Sequence, residues 1–396
     1  MFSIFPIKGN IGDIDGFYCD GISAGLKPKG ALDLGFIYSD SMCNVEAVFT
    51  KNKFQAAPLK HYQRYEEDFQ TNFILINSKN ANAMTGKEGI DDIDEIFTQL
   101  KEEFSDINNP LMSSTGVIGV RIPKQKIIDK ALKFNLSNKN GDNLSEAIMT
   151  TDSYPKSCFY EVKLSDGSSF RIGAIAKGAG MINPNLATML CFICTDADVP
   201  KSDMKESLTQ NSETTFNAIS VDGDTSTNDT VFLLSNSKSG SYDKEAFAEV
   251  LRLVMHDMAM MMVSDGEGAK KAVAFEVNGA ATIEEAQIAA KALSNSLLVK
   301  TALFGEDPNW GRVASTIGAS EVKCDESTLT ITFKDVTVYN KGDIIFDKET
   351  EAKAAKVLEE KAFKVICDLG QGDKSFTAYG CDLGYDYVKI NADYRT

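Results

Sequence analysis

Residues 171–196 read Arg171-Ile172-Gly173-Ala174-Ile175-Ala176-Lys177-Gly178-Ala179-Gly180-Met181-Ile182-Asn183-Pro184-Asn185-Leu186-Ala187-Thr188-Met189-Leu190-Cys191-Phe192-Ile193-Cys194-Thr195-Asp196. A β-like run ends in Lys177, and Gly178 and Gly180 follow, where the backbone can bend sharply or approach a ligand. Pro184 bars one continuous strand, because it brings no N–H to the ladder. Beyond it, a second and largely apolar run over 186–195 reads as a buried strand with Thr188 at its mouth. A hydroxyl there, with a lysine and flexible glycines nearby, suits a nucleophile. A threonine in an ordinary strand is the other reading.

Outward from this stretch, short β-like runs stand at 35–38, 45–49, 72–77, 229–235 and 328–339. Helical patterns occur near 90–104, 124–134, 201–218, 243–263, 283–299 and 350–368. Alternation in blocks predicts an α/β layered fold. The 283–299 helix is expected to join a main body over about 1–285 to a smaller C-terminal α+β unit over about 286–396.

The 396 residues carry 41 Lys+Arg against 57 Asp+Glu, a net charge of −16, and 43% are hydrophobic. That apolar content offsets the entropy of ordering, so the chain folds. The acidic balance repels a polyanion, so no nucleic acid is expected as partner. No run approaches the roughly 18 apolar residues of a membrane span. The start, Met1-Phe2-Ser3-Ile4-Phe5-Pro6, lacks the basic and apolar segments of a secretory leader. Eight scattered cysteines read as reduced thiols of a cytoplasmic protein. There are two histidines, His61 and His256, so any imidazole catalysis must draw on one of them. Met255, Met258 and Met262 around His256 read as helix core.

Several motifs fail on their surroundings. Gly21-Ile22-Ser23-Ala24-Gly25 fits a nucleophile elbow, but Pro28 and Gly30 oppose the helix it needs. Asp222-Gly223-Asp224-Thr225-Ser226-Thr227-Asn228-Asp229 alternates oxygen ligands. Its sixth position is Thr227 instead of Gly, and its twelfth is Leu233 instead of Glu, so it reads as a tight polar turn. Cys191-Phe192-Ile193-Cys194 has no second ligand pair and lies in an apolar strand, so buried thiols are expected and no metal. Nucleotide-binding glycine loops are absent from the sequence. No cofactor is expected.

The segment Lys177-Gly178-Ala179-Gly180-Met181-Ile182-x-Pro184-x-Leu186-Ala187-Thr188-Met189-Leu190 resembles the self-cleavage segment of the glutamate N-acetyltransferase / ornithine acetyltransferase family of arginine biosynthesis. Further similar stretches run in order along the chain. They include Asp33-Leu34, Asn77-Ser78-x-Asn80-Ala81-Asn82-Ala83, Ser114-Thr115-Gly116, Met149-Thr150-Thr151-Asp152, Ser220 to Asp229, Ser264 to Ala269, Val299 to Arg312 and Lys389 to Thr396. One departure is Ala179, where many relatives carry Ser.

The resemblance implies a self-processing, N-terminal-nucleophile-like αββα sandwich with a smaller C-terminal α+β domain. It implies cleavage between Ala187 and Thr188, giving an alpha chain 1–187 and a beta chain 188–396 that stay associated, two of each in a heterotetramer. Thr188 is then the nucleophile, and its freed α-amine, with a reference pKa of about 8, is the general base. Thr115 and Gly116 correspond to the oxyanion hole. Substrate binding falls on Thr151 (or Thr150), Lys177, Thr188, Glu267, Asn391 and Thr396. The reaction implied is acetyl transfer from N-acetyl-L-ornithine to L-glutamate, with acetyl-CoA as a second donor in some members. Two rivals remain: a hydrolase or aminopeptidase on the same scaffold, and a metal-dependent interaction protein built on Cys191, Cys194 and the 222–229 loop.

Overall fold

The computed structural model describes residues 1–183 and 189–392. They form two compact units. The first takes the described residues of 1–178, 189–217 and 225–259, and the second those of 179–183, 218–224 and 260–392. The division falls between Ala259 and Met260, inside the helix Lys244–Ser264, so the join expected near 285 lies within the second unit.

The first unit is built on a nine-stranded mixed sheet. Its strands are β1 (Phe2–Pro6), β2 (Phe17–Ile22), β3 (Leu34–Phe49), β4 (Gln70–Asn77), β5 (Leu111–Ser114), β6 (Lys156–Leu164), β7 (Ser169–Lys177) and β8 (Leu190–Thr195). After the short β9 (Ile219–Ser220) of the other sheet comes its last strand, β10 (Thr230–Ser235). The order is β1-β6-β7-β8-β10-β3-β4-β5, with β2 also paired to β3. Strands β8 and β10 run parallel, with Leu190 opposite Thr230, and every residue of both is buried. Period-two alternation explains why such runs are apolar throughout. In β4, Ile74 and Ile76 join Phe192 and Phe232 on one face. Phe73 and Leu75 pack on the other against Ile93, Ile96 and Leu100 of the helix Gly86–Glu103. A sheet covered on both faces has no solvent side to mark with polar residues.

The second unit holds a seven-stranded sheet, β14-β13-β12-β15-β11-β16-β9. Its strands are β11 (Ala272–Ala280), β12 (Thr330–Phe333), β13 (Val336–Asn340), β14 (Asp343–Ile344), β15 (Ala362–Asp368) and β16 (Lys374–Cys381). Val273, Phe275, Val277, Ile331, Phe333 and Val365 meet Ala286, Ala290 and Leu293 of the helix Ile283–Asn295 in one core. Each unit thus layers helices on a mixed sheet, as α/β patterning predicts.

Several elements differ from expectation. The runs at 35–38 and 45–49 are one sixteen-residue strand, β3, whose pairing with β4 shifts register between Tyr38 and Cys43 around polar Ser39, Asp40 and Ser41. The helix expected over 350–368 stops at Leu358. Residues 362–368 are β15, where Phe363, Val365 and Cys367 are buried and Lys364 and Asp368 exposed, a period of two. The 283–299 helix breaks at Ser296, whose side chain accepts the Val299 N–H and starts a new helix, Leu297–Phe304. The 328–339 run folds back at Lys334, which has φ +57°, into β12 and β13. Among the described residues no helix is long and apolar enough to cross a membrane.

Phe232 sits where Phe49 and Phe192 converge, with ring centroids 5.9 and 6.2 Å away. Phe232→Ala is expected to destabilise the first unit by about 3–5 kcal/mol, measured by urea denaturation followed by tryptophan-independent far-UV circular dichroism.

Candidate active site

The first unit brings Thr115 and Lys177 together at the ends of β5 and β7. Thr115 follows β5, and its backbone N–H donates to the Asn77 carbonyl at 3.0 Å. The hydroxyl is therefore what Thr115 can offer a ligand. It lies 3.5 Å from Lys177 Nζ, at the outer edge of hydrogen-bond range. Lys177 is 6% exposed. An ammonium beside a hydroxyl oxygen leaves the hydroxyl hydrogen free to point at developing negative charge.

Gly116 is required sterically. Its φ is +131°, and a Cβ would stand 2.1 Å from the Lys79 carbonyl carbon and 2.5 Å from the Asn80 nitrogen. The loop it presses against is strained, with Lys79, Asn82 and Met84 all at positive φ. Buried asparagines hold that strain. Asn77 Nδ2 donates to the Asn80 carbonyl, Asn82 Nδ2 to the Gly89 carbonyl, and Asn228 Nδ2 to the carbonyls of Ala81 and Ser114. These asparagines stand in the motifs that resemble the family, but sequence reasoning gave them no role.

Beneath Lys177 lies Asp152, which sequence reasoning also passed over. Its Oδ1 accepts Lys156 Nζ at 2.7 Å and the Gly178 N–H at 2.7 Å, and its Oδ2 accepts the Thr150 N–H at 3.0 Å. Neither the Asp152 nor the Lys156 side chain has any exposed surface. Burial pushes the Asp152 carboxyl up, but the Lys177 and Lys156 charges, with the hydrogen bonds from Lys156 and Thr150, outweigh it and hold the group at about 2. Thr150 and Thr151 are both half-buried beside it. The Asp152–Gly178 bond spans 26 residues, so nothing local marks it.

The second unit gathers a different group. Glu267, 8% exposed, accepts from Asn391 Nδ2 at 2.6 Å, and its own N–H donates to the Ala179 carbonyl at 2.8 Å. Asn391 lies on the helix Tyr385–Ala392, which orders the described part of the C-terminal segment. A Cβ on Gly180 would fall 2.4–2.5 Å from the Glu267 carboxyl atoms, so only glycine lets that carboxylate lie against the chain. The structure therefore pairs Thr115 with Lys177, and Glu267 with Asn391. Ala187, Thr188 and Thr396 lie outside the described residues.

The remaining motifs take structural places. Asp33, fully buried, accepts the N–H groups of Ala24, Leu26 and Lys27, which shapes 21–25 as a tethered loop instead of an elbow. Cys191 and Cys194 are buried in β8, where burial drives their thiols well above the ordinary range. All eight cysteines are free thiols. His61 is buried edge-on to Tyr65 and Phe97, and its Nε2 lies 3.2 Å from Asp94. Burial, opposed by Asp94, lowers its pKa.

A model of the ArgJ family matches residues 18–396. This chain belongs to the ArgJ family. It is 60% identical over 396 residues to the arginine biosynthesis bifunctional protein ArgJ of Wolinella succinogenes, with 100% of both chains covered. It is 42% identical over 401 residues to a glutamate N-acetyltransferase of Methanothermobacter thermautotrophicus, with 98% of each covered. A crystal structure of an ArgJ protein from Bacillus halodurans is similar at 36% identity and a TM-score of 0.48, covering 50% of this chain and 96% of that one.

Two outcomes follow for Asp152. Lys156→Ala, which strands a buried carboxylate, is expected to cost about 3–5 kcal/mol of stability. Because the folded-state pKa of Asp152 is about 2 against an ordinary 3.8, its ionised form stabilises the fold above about pH 4, and that contribution is lost as pH falls towards 2. The stability advantage of the native chain over Asp152→Asn, taken from urea midpoints, should shrink across that window. A constant gap would contradict the assignment.

Proposed function

We propose that this chain is a glutamate N-acetyltransferase that passes acetyl from N-acetyl-L-ornithine to L-glutamate through an ester on Thr188. The acyltransferase class follows from family membership. The observation that best supports the chemistry is the Thr115–Lys177 pair, a buried ammonium beside a hydroxyl next to sterically obligatory Gly116. Thr115 Oγ1 and the Gly116 N–H are the proposed oxyanion donors, each worth roughly 3–4 kcal/mol in comparable sites.

The first step makes the nucleophile. Thr188 Oγ attacks the Ala187 carbonyl carbon, and the peptide nitrogen leaves as the Thr188 α-amine. Water then hydrolyses the Ala187 ester, releasing the carboxylate and restoring the hydroxyl. In transfer, the α-amine takes the hydroxyl proton as Oγ attacks the acetyl carbonyl. The proton passes to the departing ornithine nitrogen. The glutamate amine attacks the acetyl ester in turn and loses its proton to the α-amine, which passes it to Thr188 Oγ as the acetyl–Oγ bond breaks, so that N-acetylglutamate leaves and the free threonine is restored.

Lys177 is proposed to meet a substrate carboxylate, while Glu267 meets the ornithine ammonium. Asn391, Thr396 and Thr151 (or Thr150) complete the binding set. Acetyl-CoA is proposed as a second donor, in keeping with relatives named as bifunctional. We further propose an αββα sandwich for the processed body, a heterotetramer of two alpha and two beta chains, and a cytoplasmic enzyme without a cofactor.

Intact mass spectrometry under denaturing conditions should give two fragments, the second beginning Thr188-Met189-Leu190. Thr188→Ala should remain one chain and lose transfer altogether. Acetylation of Thr188 should be trapped by N-acetylornithine without glutamate. An uncut wild-type chain that transfers no acetyl would overturn the mechanism, and release of acetate in place of transfer would favour the hydrolase.

A further inference from the structure

The acidic turn 222–224, which imitates a cation loop in sequence, binds backbone instead. We propose that Asp222 is a positioning residue for self-cleavage, fixing residues 181–183, which immediately precede residues 184–188 in the sequence. The proposal rests on the reading of Ala187–Thr188 as a self-cleaved bond.

Asp222 Oδ2 accepts the Met181 N–H at 2.6 Å, and Oδ1 accepts the Ile182 N–H at 2.9 Å and the Asp224 N–H at 3.2 Å. Tyr387, on the same C-terminal helix as Asn391, donates its hydroxyl to Oδ2 at 3.2 Å. Met181 is held at φ +56°, a left-handed conformation that costs a residue with a Cβ about 1–2 kcal/mol. Its side chain is 40% exposed, so core packing does not supply that energy. The carboxylate does, each of its oxygens taking one of two adjacent N–H groups in this bend.

A second set of contacts grips the next two residues. The Ile182 carbonyl accepts the Val221 N–H at 2.6 Å and Ser220 Oγ at 3.2 Å. Asn183 Nδ2 donates to the Gly223 carbonyl at 3.1 Å, and Asn295 bridges Asn183 and Ser220 at 3.4 and 2.5 Å. These bonds tie 181–183 to 220–223 and to the helix Ile283–Asn295 immediately ahead of the segment to be cut.

The consequence is specific to cleavage. Attack by the Thr188 hydroxyl on the preceding carbonyl demands a near-attack geometry within an uninterrupted chain, and the fixed entry point at 183 restricts that chain. Once the bond is cut, residue 183 no longer connects to Thr188, and the clamp ceases to constrain the nucleophile of transfer.

The test follows precursor freshly made by cell-free translation, with cleavage timed by denaturing mass spectrometry. Asp222→Asn is expected to slow cleavage by about tenfold or more, the rate equivalent of losing the bend. Acetyl transfer per cleaved molecule should stay within about threefold of wild type. Adding Met181→Gly to Asp222→Asn should recover cleavage, because glycine adopts the left-handed bend without steric cost. If Asp222→Asn does not fold, Asn295→Ala carries the same expectation from the other side of the clamp. Cleavage at the wild-type rate would overturn the proposal, as would parallel loss of cleavage and of transfer per cleaved molecule, or no recovery by Met181→Gly. A wild-type chain that stays uncut removes the self-cleavage reading itself, whereas a cut wild type with an unaffected variant removes only the role of Asp222.

Discussion

A carboxylate with no exposed side-chain surface must find donors or give up its charge, and Asp152 finds three: the Lys156 ammonium and the Gly178 and Thr150 N–H groups. The charge so retained faces Lys177, itself 6% exposed. The Lys177 charge is the largest of the influences that hold the Asp152 carboxyl low. Lys177 also reaches the Thr115 hydroxyl, and the end of β7 is fixed by the bond from Gly178 to Asp152. One buried carboxylate thereby organises the residues at the end of this strand.

The same economy recurs in the second unit, with carboxylates used as acceptors for backbone. Residues 178–183 lie outside the named strands, so their N–H groups need other partners. Asp152 takes Gly178, and Asp222 takes Met181 and Ile182. The Ala179 carbonyl receives the Glu267 N–H. Each acid also touches something more: Lys156 for Asp152, Tyr387 for Asp222, and Asn391 for Glu267. A stretch rich in glycine is ordered by side chains from distant parts of the sequence. Its conformation is therefore invisible to any reading of local propensity.

That distance explains what was legible. The strands at 72–77, 171–177 and 229–235 announce themselves through apolar runs, and the helices near 124, 201 and 244 through 3.6-residue spacing. Residues 362–368 read as helix because they follow closely on a true one, although Phe363, Val365 and Cys367 alternate with more exposed neighbours. Lys177 is marked by the β-like run it closes ahead of Gly178, whereas Thr115 is legible only through resemblance to a family, since a threonine after a short strand carries no signal of its own. Asp152 stands within a motif, yet the motif does not mark its role. Its role depends on Gly178, and no spacing rule links an aspartate to an N–H 26 residues later. The buried asparagines at 77, 80, 82 and 228 were hidden for the same reason, because amide donors to loop carbonyls follow no period.

The supply of bases makes the proposed mechanism physically economical. His61 is packed among rings against Asp94, and its proton affinity is lowered by burial. Burial also pushes the Lys291 amine down, to about 7. Yet its Nζ donates to the Ile219 carbonyl at 2.7 Å, an arrangement that holds β9 against its helix and leaves the amine in structural use. Lowering a lysine by burial alone costs desolvation energy in every folded molecule. An α-amine begins near 8 without burial, about two units below a lysine. In the proposed mechanism, cutting the backbone at the nucleophile would create a base of suitable strength on the same residue as the hydroxyl it serves. No imidazole would have to be carried into the site, and the fold would need to organise only the cleavage that releases the amine.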